Sequence, residues 1–368
     1  MALSTGIVGL PNVGKSTIFN ALTSAGALAA NYPFATIEPN TGIVAVPDPR
    51  LKEIEQFIKT EKIVPAAIEV VDIAGLVKGA SQGEGLGNQF LGHIRMVDAI
   101  LHIVRCFDNP DVVHVDGTVD PIRDAEIIEL ELVLADLDSA ERQLEKNRRA
   151  AAQKDVESMQ RMTVLDPMVA MLKEGKPSRR ALEGMDAAAQ KLARSLGFIT
   201  SKPVLYVANV DEGDPLGGNN PHVARLRDWV KLQGGELVVI SGAIEAEIAA
   251  LESAEEKAEF LAGIGLEESG LARLSRAAYK LLGLQSYFTA GPKEIRAWTI
   301  PVGAKAPQAA GVIHTDFERG FIRAEVYTLE DLKTYRVESA IRQAGRLRSE
   351  GKEYVVQDGD IVHFLFNV

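Results

Sequence analysis

The sequence predicts an α/β protein, with a mostly parallel sheet between helices, a helical pair inserted into it and a small β domain after it. Three observations predict this. Five short apolar runs, at 5–8, 68–71, 99–104, 204–208 and 237–240, are separated by longer helical patterns. Runs that are apolar at nearly every position suit parallel strands buried on both faces. Between the third and fourth runs the alternation stops, and the chain reads as helix instead. Beyond about residue 281 the texture changes again, to short β-prone runs with turn signals such as Asp358-Gly359-Asp360.

The segments that leave the strands place the functional surface. The five runs lead into 9–17, 72–75, 105–111, 209–212 and 241–243, which are polar or rich in glycine. In open α/β sheets ligands sit outside the carboxyl ends of the strands. The inserted part begins with a helix over 123–149, where Ile127, Leu130, Leu134, Leu137 and Leu144 are spaced as a coiled-coil seam. A second helix is expected over 154–173, closed by Gly175 and Pro177, and a third over 179–196. The simplest arrangement is an antiparallel helical arm. In the last region, strands are expected at 285–289, 297–300, 323–327, 354–355 and 361–366. These boundaries divide the chain into a nucleotide-type domain in two parts, 1–122 and 201–280, an arm at 123–200 and a last domain at 281–368.

Composition narrows the class. A length of 368 residues exceeds one ordinary domain, and 46% hydrophobic with 25% charged residues is globular rather than disordered or collagenous. No apolar run approaches the ~20 residues that cross a bilayer, and the N-terminus lacks a basic stretch followed by an apolar core, so neither membrane insertion nor secretion is expected. Cys106 is the single cysteine, which excludes an internal disulfide and points to the cytoplasm. The net charge of −11 argues against indiscriminate nucleic-acid binding, and no DNA specificity is expected. It conceals a local reversal, since residues 141–180 hold ten Lys or Arg against six Asp or Glu.

Gly9-Leu10-Pro11-Asn12-Val13-Gly14-Lys15-Ser16-Thr17 fits the phosphate-binding pattern G-x-x-x-x-G-K-[ST] between a strand and a helix. Its glycines let backbone N–H groups and the following helix N-terminus surround phosphate oxygens. Lys15 is expected to reach the outer phosphates and Ser16 to ligate Mg²⁺, with Asn12, Val13, Gly14 and Thr17 completing the cradle. Asp72-Ile73-Ala74-Gly75 supplies an aspartate for the Mg²⁺ shell and a glycine amide for the γ-phosphate. Between them, Asn31-Tyr32-Pro33-Phe34-Ala35-Thr36 lies where a switch belongs. Thr36 is the candidate third metal ligand, with Thr41 as its competitor.

The run Asp72-Ile73-Ala74-Gly75-Leu76-Val77-Lys78-Gly79-Ala80, followed by Gly83-Glu84-Gly85-Leu86-Gly87-Asn88-Gln89-Phe90-Leu91, resembles the Obg-type G domain. With Asn31-Tyr32-Pro33-Phe34 and a C-terminal portion similar to a TGS domain, the chain resembles the YchF subfamily of Obg-like ATPases over nearly its whole length. The resemblance implies a P-loop NTPase core, an inserted helical arm and a ubiquitin-like β-grasp TGS domain. It also implies ATP as substrate and the ribosome as partner, either the 70S particle or its large subunit with its rRNA.

Two departures from ordinary GTPases matter. The guanine-reading motif N-K-x-D is replaced by Asn209-Val210-Asp211-Glu212, which lacks the lysine and carries a longer acid at its end. Guanine offers N1 and N2 donors there, whereas adenine offers an N6 donor and an N1 acceptor. A site built for one pattern rejects the other. ATP is therefore expected, with Asn209, Val210, Glu212, Ser241 and Gly242 at the base; an atypical GTPase and a ribosome-binding scaffold with structural nucleotide are the alternatives. Leu76 stands where many GTPases place a water-orienting glutamine. Lys15 and His114 are then the expected catalytic residues, Asn12, whose oxygen can hold K⁺, is a further candidate, and His93 and His102 are weaker ones. The basic arm residues Arg142, Lys146, Arg148, Arg149 and Lys154 are expected to meet RNA phosphates, and the protein is expected to be a monomer.

Overall fold

A computed structural model describes residues 3–24, 40–73 and 86–367. The elements run β1 (Ser4–Val8), α1 (Lys15–Ser24), β2 (Thr41–Val46), α2 (Pro49–Glu55), β3 (Ile63–Val64), β4 (Ala66–Asp72), α3 (Leu86–Met96) and β5 (Ala99–Arg105). Then come α4 (Pro121–Ala152), α5 (Val156–Lys173), α6 (Ala187–Ser195), β6 (Val204–Asn209), α7 (Pro221–Leu232), β7 (Glu236–Ile240), α8 (Gly242–Ala250), α9 (Ala254–Gly263) and α10 (Gly270–Leu281). The rest is β8 (Leu284–Ala290), β9 (Ile295–Pro301), α11 (Ala306–Ile313), α12 (Thr315–Arg319), β10 (Phe321–Tyr327), α13 (Leu329–Tyr335), α14 (Glu338–Gln343), β11 (Arg348–Glu350) and β12 (Ile361–Phe366).

The first sheet has the order β2-β4-β1-β5-β6-β7. Strands β4, β1, β5, β6 and β7 are parallel, in a register that pairs Ile7 with Asp72, Val8 with His102, Arg105 with Asn209 and Asn209 with Ile240. The carboxyl ends of these strands therefore deliver Gly9, Asp72, Cys106, Asn209 and Ser241 along one edge. Strands β1, β5 and β6 are buried at every position, as their largely apolar runs predict.

The arm is two helices. Asp120 caps α4 by accepting from the Ile122 and Arg123 N–H groups, and Pro121 suits its first turn. Asp155 caps α5 through the Ser158 N–H at 2.8 Å. The expected seam holds only in part. Of its residues Leu144 joins the core and Leu137 packs against it, but Leu130 and Leu134 are 49% and 43% exposed, and Val133 and Ala140 meet Val164, Leu165, Met168, Val169 and Leu172 of α5 instead. The third expected helix is broken as well: a 3-10 helix covers Ser178–Leu182, and Gly184, at φ 84°, precedes α6, which Asp186 caps.

Among the described residues, one compact unit takes 3–24, 40–42, 69–73 and 86–274, and the other takes 43–68 and 275–367. The second unit thus starts before the expected residue 281 and includes a segment from far upstream. Its sheet has the order β11-β10-β12-β8-β9-β3. Strands β8 and β9 form a hairpin, β12 runs parallel to β8, and β3 is parallel to β9 with Ile63 opposite Ile295. Helix α11 covers one face, and its Ala306, Ala309 and Ala310 join Tyr287, Phe321, Val326 and Phe364 in the core. Arg50 ties the upstream segment in by pairing with Asp48 at 2.7 Å and Asp358 at 2.8 Å. The run at 354–355 is not a strand; Val355 makes only an isolated bridge to Lys305.

Candidate functional site

The phosphate loop leaves β1 and enters α1 at Lys15, so the first-turn amides of α1 point into the loop. Asn12 takes a φ of 61° and Gly14 a φ of 93°, both in the left-handed region. A Cβ on Gly14 would lie 2.3 Å from Asn209 Nδ2, so this glycine also makes room for a neighbour. Lys15 is buried, and its Nζ donates to the Leu10 carbonyl at 2.8 Å. Burial lowers its pKa, opposed by the charge of Asp72. Burial likewise raises the pKa of Asp72, opposed by Lys15 and by a hydrogen bond from Ser16.

Ser16 Oγ donates to Asp72 Oδ2 at 3.4 Å, while Asp72 Oδ1 is buried with no hydrogen-bond partner among the described residues. A hydroxyl and a carboxylate with a spare oxygen, beside a phosphate cradle, are the oxygen donors that Mg²⁺ accepts, and this ion ordinarily takes only one or two protein ligands beside phosphates and water. The residues present fit the ion. Thr36, Gly75 and Leu76 lie outside the described residues, as do Asn31 to Ala35. Thr41, the competitor of Thr36, begins β2.

Asn209 and Val210 take a different part from the one expected. The Asn209 amide is buried; its Nδ2 donates to the Val13 carbonyl and its Oδ1 accepts from the Gly242 N–H, both at 2.9 Å. The residue therefore pins the phosphate loop to the start of α8 and does not present its side chain to a base. Val210 is buried, and its N–H donates to the Ile240 carbonyl at 2.9 Å. Asp211 closes a local turn by accepting from the Gly213 N–H. Glu212 is exposed and makes no side-chain hydrogen bond among the described residues, which leaves its carboxylate for a ligand. Ser241 Oγ is buried without a partner among those residues, at the head of α8 next to Gly242.

The loop after β5 completes the site, and sequence reasoning underrates it. Arg105 is 2% exposed and donates to the carbonyls of Phe107, Val112 and Asn109, while its guanidinium lies over the Phe107 ring. The one signal in the sequence is an arginine ending a strand that is apolar apart from His102. Asn12 Nδ2 donates to the Val113 carbonyl at 3.1 Å, so this loop touches the phosphate loop directly. His114 is buried with both ring nitrogens engaged. Its Nδ1 accepts from the Asp116 N–H at 3.1 Å, which places the ring proton on Nε2, and that atom meets Asp124 Oδ2 at 2.8 Å. In this arrangement His114 offers no lone pair to a water. His102 is buried on β5 against Tyr206, and His93 is exposed on α3. Neither is hydrogen-bonded to the phosphate loop.

Among the described residues no helix is long and apolar enough to cross a membrane. The arm carries Arg142, Lys146, Arg149 and Gln153 along one face of α4, whereas Arg148 pairs with Asp166 of α5. Lys154 forms the turn between the two helices, at a φ of 65°.

Comparison with known proteins agrees with this layout. Family profiles described as "50S ribosome-binding GTPase" and "YchF-GTPase_C: Protein of unknown function" match residues 4–134 and 284–367. The chain is 53% identical to the ribosome-binding ATPase YchF of Escherichia coli O157:H7 over 368 residues and to that of Bacillus subtilis strain 168 over 371 residues, covering both proteins and itself completely. It is also similar to the solved structure of the Schizosaccharomyces pombe YchF GTPase, at 40% identity and a TM-score of 0.88, covering 99% of this chain and 98% of that one. With its P-loop α/β domain and C-terminal YchF domain, the chain belongs to the YchF family.

Proposed function

We propose that the chain is an Mg²⁺-dependent ATPase that uses its nucleotide state to control association with the ribosome. The observation that carries this is the convergence, at one edge of the first sheet, of the phosphate loop, an Asp72 oxygen without a partner among the described residues and an exposed Glu212 beyond the buried Asn209. The names of the bacterial relatives support both the ATP and the ribosome.

In this reading Lys15 exchanges the Leu10 carbonyl for phosphate oxygens, and the amides of Val13, Gly14, Ser16 and Thr17 hold the β-phosphate. Ser16 and Asp72 would hold Mg²⁺, with Thr36 joining its shell and the Gly75 amide donating to the γ-phosphate when that phosphate is present. The ion supplies charge neutralisation between the β- and γ-phosphates when bound. Glu212 accepts from the adenine N6–H₂ group, and Ser241 and Gly242 line the base. Asn12, with its amide nitrogen on Val113, keeps its side-chain oxygen for K⁺. Without a glutamine at Leu76, turnover is slow until a partner completes the water site. The basic face of α4 meets rRNA on the 70S particle or the large subunit, the C-terminal unit acts as a TGS domain, and the free protein is a monomer.

Titration calorimetry with ATP and GTP, together with phosphate release, tests the reading. We expect tighter ATP binding and slow release that Lys15→Ala abolishes; GTP bound about tenfold more tightly would replace the ATPase with a GTPase. That second reading has support of its own, because the Schizosaccharomyces pombe relative is named a GTPase.

A further inference from the structure

The segment 113–117 has its burial inverted. Val113 and Val115 are 74% and 54% exposed, while His114 between them has only 5% of its side chain exposed. Valines ordinarily go inside and a histidine is ordinarily at least half out, so something specific must hold the ring in. Asp124 does this. Its Oδ2 takes the Nε2 proton of His114 at 2.8 Å, and its Oδ1 is occupied by Arg123. Asp124 belongs to the first turn of α4, the helix that becomes the arm.

The two ends of the loop are treated differently. Three Arg105 bonds fix the carbonyls up to Val112. Past that point the chain turns at Gly117, which has a φ of 78° and no atom within 4 Å of the place a Cβ would take, so the backbone there is free of side-chain obstruction. The carbonyl of Val113, one residue before the ring, accepts from Asn12 of the phosphate loop. The imidazole is thus tethered beside the nucleotide site by a carboxylate that moves with the arm.

We infer that Asp124 is a positioning residue that latches His114 out of service, and that displacement of the arm helix releases the imidazole to orient the hydrolytic water. This rests on the ATPase reading above. Release lets the ring turn away from the Asp116 N–H as well, so that Nδ1 can accept the water's hydrogen bond; the water oxygen bonds to the γ-phosphorus as the bond from that phosphorus to the β–γ bridging oxygen breaks, and the proton leaves with the phosphate product. The exposed valines then become able to bury, which offsets the loss of the His114–Asp124 hydrogen bond.

The test uses the full-length protein and two readouts. Peptide-resolved modification by diethylpyrocarbonate should leave His114 protected in the wild type relative to the exposed His93, and Asp124→Ala should make it as reactive as His93. Basal ATP turnover should rise several-fold in Asp124→Ala with KM unchanged, and the rise should vanish in Asp124→Ala/His114→Ala. The near-isosteric Asp124→Asn, which keeps the cap region packed, should shift both readouts in the same direction by less. A wild type without ATP turnover would overturn the ATPase reading, while the modification pattern would still decide the latch. Wild-type His114 as reactive as His93, or folded Asp124 variants with unchanged or lower turnover, would overturn the latch itself.

Discussion

Asn209 shows how a residue can matter to a nucleotide site without facing the nucleotide. Its amide joins the phosphate loop to α8, and Asn209→Ala leaves the Val13 carbonyl and the Gly242 N–H unpaired in a buried place, at a cost of about 1–3 kcal/mol. We expect a lower melting temperature and roughly tenfold weaker ATP binding, measured by calorimetry. His102 gives a pH signature: burial pushes its imidazole down to about 4. The folded value lies below the unfolded value of about 6.5, so the unfolded chain binds more protons between the two, and stability is lost as pH falls through that window. Urea titrations should show the wild type losing about 2 kcal/mol more than His102→Gln between pH 7 and 5; equal losses would remove His102 as the cause. Burial also pushes the Cys106 thiol up to about 12, so a disulfide reagent should label it only after unfolding, which speaks against a redox role. The phosphate-loop residues are legible in the sequence because their geometry is local. The job of Asn209 is not, because its partner Val13 lies 196 residues away.

At the scale of elements, helix ends read well and helix faces less so. Asp120-Pro121 and Asp155 mark their caps by chemistry that acts within three residues. Leucine spacing finds Leu137 and Leu144 but misplaces the rest of the arm's seam, because the positions facing α5 include Ala140, and because Asp136 is buried by accepting from the Ile199 and Thr200 N–H groups. A small residue or a satisfied carboxylate at such a position carries no hydrophobic signal. The exposed α4 face is better suited to a polyanion than its ion pairs suggest. Arg142 pairs with Asp138 and Arg149 with Glu145 at solvent-exposed positions, where such pairs contribute little and exchange readily. Replacing Arg142, Lys146 and Arg149 together by Gln should leave ATP binding intact and weaken cosedimentation with ribosomes. The slope of log affinity against log salt should flatten by about 0.7–0.9 for each phosphate left without its cation; an unchanged slope would exclude this face from the proposed contact.

At the scale of the whole molecule, the five parallel strands of the first sheet are legible, whereas β2 and the inclusion of 43–68 in the second unit are not. Strand β3 has two residues and pairs with a strand encoded far downstream, so no local pattern could reveal it. Each unit has its own core, and the nucleotide residues described above lie in the first unit alone. Scanning calorimetry should therefore resolve an unfolding transition that a nonhydrolysable ATP analogue with Mg²⁺ moves upward and another that it leaves in place; a single transition moving as a whole would show that the units unfold together. The pairing of Ile63 with Ile295 has one more consequence, for the growing chain. More than 200 residues must be polymerised between these partners, about 10–50 s at ordinary rates of synthesis. Throughout that interval an early strand waits without its neighbour, so this small domain has the high contact order of a slow folder and can close only when translation is nearly finished.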